Sequence, residues 1–115
     1  MPVRLHHIVV DAHDLPGLAR FRTQALGWKI LSERDNEIII ATDENAPVGM
    51  CFMPVTDPKT VKNRVHLDLT SSAADRDQEI DRLLALGARR AHWHSVMSRL
   101  CEGVVLMRSA GGHFV

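Results

Sequence analysis

Apolar and polar positions along the chain fall into short blocks whose period switches between two and about 3.6. Residues 5–11 are few and rich in β-branched side chains, which predicts a strand rather than a helix. Asp14 then stands where an N-cap belongs, Pro16 falls in the first turn, and Leu15, Leu18, Phe21, Ala25 and Leu26 recur at helical spacing until Gly27 supplies a stop. Residues 28–32 and 37–41 read as two arms of a hairpin around Asp35-Asn36, and residues 48–55 as a further strand after the Asn45-Ala46-Pro47 turn. The first half is thus predicted as βαβββ.

The second half opens in the same way. Arg4-Leu5-His6-His7 is echoed by Arg64-Val65-His66, and the stretch closing in Ala25-Leu26-Gly27 is echoed by Ala85-Leu86-Gly87. Val65, Leu67 and Leu69 alternate with His66, Asp68 and Thr70, which predicts a strand with one apolar and one polar face. Ser72 can cap the following helix, Asp75 and Asp77 suit its positive end, and Ile80, Leu83 and Leu84 form its apolar stripe before Gly87. Residues 89–103 carry no clear period, residues 104–107 read as a strand, and residues 113–115 as a short last one after the turn-like Ser109-Ala110-Gly111-Gly112. The expectation is one domain over residues 1–115, built from half-modules of about 1–55 and 64–115 joined by the polar connector 56–63. Neither half is large enough to enclose a small ligand alone.

Charge narrows the partners. The 115 residues carry 14 basic and 14 acidic side chains, intermixed, so the formal net charge is zero and no footprint for nucleic acid is present. No apolar run approaches the roughly 20 residues that a bilayer requires, and the first residues lack a signal-peptide pattern, so a cytoplasmic location is expected. Cys51 and Cys101 have no zinc or redox spacing and are expected as buried, inert thiols.

His7 and His66 are the candidate pair, one near the start of each half's first strand. His7 shares a strand face with Val9 and Asp11, and His66 with Asp68 and Thr70. Neutral imidazoles ligate Zn, Fe, Ni or Mn, although two ligands make a weak site and a third is normally needed. The bland alternative is a pair of half-buried histidines satisfied by hydrogen bonds. Strict spacing of the repeat pairs His66 with His6 rather than His7, a register difference of one residue. Weaker candidates are His92 and His94, read as surface residues; Met50, Phe52 and Met53, which can line an apolar pocket or fill the core; and Lys59 and Lys62, which can attract an anion or simply solvate the connector. No Ser-His-Asp order and no phosphate-cradling glycine loop is present, and the absence of tyrosine rules out a tyrosine general acid.

These residues carry a resemblance. Leu5-His6-His7-Ile8-Val9-Val10, Asp14-Leu15, Phe21, Ala25-Leu26-Gly27-Trp28, the segment from Asp57 to Leu69 and Leu83–Ala88 are similar to the glyoxalase-like branch of the vicinal oxygen chelate superfamily, over roughly residues 4–91. The resemblance implies an α+β fold of paired βαβββ modules whose sheets curl into a cup, as in glyoxalases, bleomycin-resistance proteins and extradiol dioxygenases, and it implies a homodimer. In the family's metal enzymes, ligands come from the first strand of each module and from a glutamate near the last strand. His7 and His66 match the first two positions, whereas His113 stands where the carboxylate belongs, and residues 92–103 depart from the family's pattern. The implied metal set is therefore His7, His66 and His113, holding Zn, Ni, Fe or Mn. Two functions follow: a divalent-metal-dependent enzyme of lyase, isomerase or dioxygenase type acting on a small molecule, or a metal-free protein that binds or sequesters a drug-like compound. A fold of this kind fixes architecture more firmly than activity.

Overall fold

The structure is a computed structural model that describes residues 2–57, 65, 67, 69, 76–90 and 105–106. The chain forms two compact units, Met1–Asp57 and Pro58–Val115.

The first unit is a complete βαβββ module. Its elements are β1 (His7–Ala12), α1 (Leu15–Leu26), β2 (Lys29–Arg34), β3 (Glu37–Ala41) and β4 (Gly49–Pro54). They assemble one sheet of order β1-β4-β3-β2, with β1 parallel to β4 and the other neighbours antiparallel. The Asp14 carboxylate accepts a hydrogen bond from the Gly17 N–H (3.1 Å), meeting one of the orphan donors of the first helical turn. At the other end Gly27 adopts φ 67°, a left-handed conformation that glycine tolerates without a Cβ penalty, and the Trp28 N–H reaches back to Thr23 O (3.0 Å). The hairpin turns at Asp35-Asn36, and β2 carries a bulge at Leu31 that shifts its register against β3.

α1 packs against β1, β3 and β4. Strand alternation then sorts the sheet. Ile38 and Ile40 pair with Phe52 and Met50 on the covered face, and Ala12 of β1 joins them; all five are buried together with Leu15, Ala19 and Phe21 of the helix. Burial of that size is the main stabilising term, since a fully buried large apolar side chain contributes about 1.5–3 kcal/mol. Arg22 lies one turn beyond Ala19 on the same helical stripe, where an apolar residue is the norm. Its Nε is buried with no hydrogen-bond partner among the described residues, and burial pulls its guanidinium below the usual range.

The first strand begins two residues later than the pattern of residues 5–11 predicts. Leu5 is exposed, and pairing starts where β4 does, at the Gly49 N–H bonded to His6 O (3.2 Å); before that point β1 has no partner among the described residues. The far end of the same ladder closes with the Val55 N–H on Ala12 O (3.0 Å).

In the second unit the described elements are α2 (Arg76–Ala85), β5 (Arg89–Arg90) and β6 (Val105–Leu106), with β5 parallel to β6. α2 carries Asp77 and Glu79 in its first turn and buries Ile80 and Leu83, as its periodicity predicts. Glu79 and Arg82 form a surface ion pair one turn apart (2.7 Å). Val65, assigned to an apolar strand face, is instead 82% exposed, while Leu67 and Leu69 are half-buried. The predicted cap at Ser72 and the last strand at 113–115 lie outside the described residues. Among the described residues, no helix is long and apolar enough to cross a membrane.

Candidate functional site

Opposite α1, the first sheet presents a second face made of the alternate residues. Reading across β1, β4, β3 and β2, its first row is His7, Gly49, Ala41 and Lys29; its second is Val9, Cys51, Ile39 and Ser32; its third is Asp11, Met53, Glu37 and Arg34. The first row holds the imidazole, the second is mostly apolar, and the third is charged at both sheet edges. Val9 is 57% and Met53 39% exposed, so part of this face is open apolar surface, whereas Cys51 and Ala41 beside them are buried.

His7 is half-buried at the start of β1. A side chain at Gly49 would crowd it: an added Cβ would sit 3.3 Å from His7 Cδ2 and 2.9 Å from Ile40 O. The His7 ring also stacks on that of His6, with centroids 3.9 Å apart and planes inclined by 25°. Gly49 and His6 are thus two of the imidazole's neighbours.

Cys51 lies in the middle row. Burial pushes its thiol above the ordinary range, and the Glu37 carboxylate, which accepts a hydrogen bond from it, acts in the same direction. A thiol held protonated is a poor nucleophile and a poor metal ligand. The expectation of a buried, inert thiol therefore fits Cys51; Cys101 lies outside the described residues.

Strand alternation divides the residues proposed to line an apolar pocket. Met50 and Phe52 are 1% and 0% exposed and belong to the core beneath α1, the core-filling alternative of the sequence reading; Met53 alone of the three is on the open face. One histidine that sequence reasoning did not single out is also placed. His13, just past β1, joins its Nε2 to Asp57 O at 2.5 Å and ties the end of β1 to the chain leaving β4. Its contact is 44 residues away in sequence, so no local pattern could have marked it.

His66 and His113 lie outside the described residues, as do His92, His94, Lys59 and Lys62. Among the described residues no group of three or more His, Cys, Asp or Glu side chains is placed to hold a metal ion. A neutral imidazole such as that of His7 is nevertheless a donor that zinc or nickel accepts. His7 offers one such imidazole on the open face, beside a glycine and the His6 ring.

No curated protein matches the sequence. Among solved structures, one described as oxidase ChaP-H2 is similar at 24% identity and a TM-score of 0.47, over 74% of this chain and 60% of that one. The family model of the glyoxalase-like domain matches residues 7–114, so the similarity runs on through residues 92–114, beyond the motifs that carry the resemblance in residues 4–91. With almost the whole chain matched, and with an α+β architecture of the expected kind, this chain belongs to the glyoxalase-like domain family.

Proposed function

We propose that this chain is a small-molecule protein whose ligand meets the sheet face opposite α1, and that His7 and His66 hold a divalent cation there, with His113 as third ligand. The observation that supports the reading is the placement of His7: a half-buried imidazole at the head of β1, on the open face, over a glycine. When bound, a zinc, nickel, iron or manganese ion would supply Lewis-acid polarisation of a substrate's oxygens. This chain's own residues bind and orient. Val9, Ile39 and Met53 offer apolar surface to the ligand's body, and the charged outer row confines polar groups to the edges. An all-imidazole set favours zinc or nickel chemistry of lyase or isomerase type over a dioxygenase, because the non-haem iron site uses a carboxylate.

The test is metal content of protein purified without a histidine tag, followed by calorimetric titration of Zn, Ni and Fe(II). About one equivalent per chain is expected, with binding abolished in His7→Ala and His66→Ala, since two remaining ligands hold a cation poorly. Binding unchanged in both variants would defeat the reading.

A second reading is favoured by the exposed apolar side chains of Val9 and Met53 on the same face. On that reading the chain sequesters a drug-like compound without a metal, His113 having replaced the carboxylate of the family's enzymes. Metal-free protein that retains ligand binding in His7→Ala would select it. We further propose a single domain of two half-modules, acting as a cytoplasmic homodimer; sedimentation equilibrium giving a monomer mass at micromolar concentration would refute the dimer.

A further inference from the structure

We infer that His6 is a positioning residue for His7, holding the imidazole plane of its neighbour by stacking. Successive side chains on a strand point to opposite faces, so two adjacent histidines in regular β structure cannot bring their rings together. Here they are stacked at 3.9 Å and 25°. The stack sits at the strand's end, where regular alternation need not hold: β1 begins at His7, and His6 stands just before it.

The stack is anchored. The His6 carbonyl accepts a hydrogen bond from the Gly49 N–H (3.2 Å), which fixes the backbone of His6 against the first residue of β4. Gly49 also makes room for the His7 ring, whose Cδ2 would be 3.3 Å from any Cβ there. One residue of β4 therefore pins the stacking partner with its N–H and admits the imidazole with its missing side chain. The two χ angles of His7 are limited by the His6 ring and by the backbone of β4. A donor held this way loses less rotamer freedom when it meets a ligand, and immobilising a free side chain otherwise weakens binding.

The inference rests on the proposed role of His7 in metal binding, and its test separates the two. In metal-free protein, NMR of the His7 ring protons reads the stack directly through the ring current of His6. The His7 signals are expected upfield of a free imidazole in the wild type and in His6→Phe, and to return towards the free position in His6→Ala. Zinc affinity by calorimetry is expected to fall roughly three- to tenfold in His6→Ala and to recover in His6→Phe, which restores a flat ring without a ligating nitrogen. His7 signals that do not move in His6→Ala would overturn the positioning role. So would a His6→Phe variant that keeps the ring shift but binds zinc as weakly as His6→Ala, because His6 would then act through its own nitrogen. A wild type that binds no zinc defeats the metal reading alone; the ring-current measurement still decides whether His6 sets the His7 plane.

Discussion

Gly49→Ala is the substitution that bears most directly on the site, because two opposing effects can be weighed from the geometry. Gly49 does not adopt a left-handed conformation, since the positive-φ glycines among the described residues are Gly27 and Gly87, so alanine meets no backbone penalty there. Removing a glycine from a strand should then stabilise by about 0.5–1 kcal/mol through the unfolded chain. Against this, the new methyl would lie 2.9 Å from Ile40 O and 3.3 Å from His7 Cδ2. The carbonyl belongs to β3, and β4 is held between β1 and β3, so neither backbone can retreat without disturbing a ladder. Overpacking of this kind typically costs about 1–3 kcal/mol, which exceeds the entropic gain. The net expectation is a loss of about 1–2 kcal/mol. At about 2.1 cal/mol/K of unfolding entropy per residue, a chain of this length should lose roughly 4–8 °C in Tm. Urea denaturation of wild type and variant, with the slope m checked for constancy, measures it. A variant as stable as the wild type, or more so, would show that the close approach of β4 to Ile40 O and His7 is not as described.

Three further outcomes are expected. An added Cβ at Gly17 would collide with the Asp14 carboxylate, so Gly17→Ala should gain nothing in the wild type yet stabilise by up to about 1 kcal/mol in an Asp14→Ala background; a double-mutant cycle showing additivity would refute the coupling. Arg22→Met keeps a long side chain on the buried stripe of α1 and removes a guanidinium whose Nε lacks a partner among the described residues, so thermal denaturation should show unchanged or raised stability by about 1 kcal/mol; a loss of similar size would mean that Nε is satisfied. With Cys101→Ser isolating it, Cys51 should react with a thiol reagent roughly a hundredfold or more slowly in the native state than after unfolding, and its labelling should rise only above the ordinary thiol range of pH, because burial and Glu37 both favour the protonated form; rapid native labelling near neutral pH would contradict its burial.

Much of the first module was legible because its signals are local. Asp14, Gly27, the Asp35-Asn36 turn and the β-branched runs each state a conformation within a few residues, and they agree with one another. What stayed hidden depends on residues far apart in the chain. No pattern announces that β4 lies parallel to β1, and from that pairing follow the late start of β1 and the placement of Gly49 beside His7. Arg22 was passed over for a different reason: a long stem can lie along an apolar surface while its head reaches outward, so a charged residue on a helical stripe gives no sequence sign that its Nε is buried.

The repeat itself posed a question that local reasoning could not close, since strict spacing aligns His66 with His6 and the strand face selects His7. The geometry changes what that question means. His6 and His7 are two halves of one arrangement, the first fixed by its carbonyl to Gly49 and the second opening the strand beneath its ring. Displacing either histidine therefore disturbs both, and a His6→Ala variant is expected to weaken zinc binding without removing a ligand, whereas His7→Ala should abolish it. The family match covers the whole of β1, and the strand begins at its first matched residue, His7. Which of the two imidazoles opens the strand is decided by where β1 finds its partner, and in this chain that point is the Gly49 N–H on His6 O.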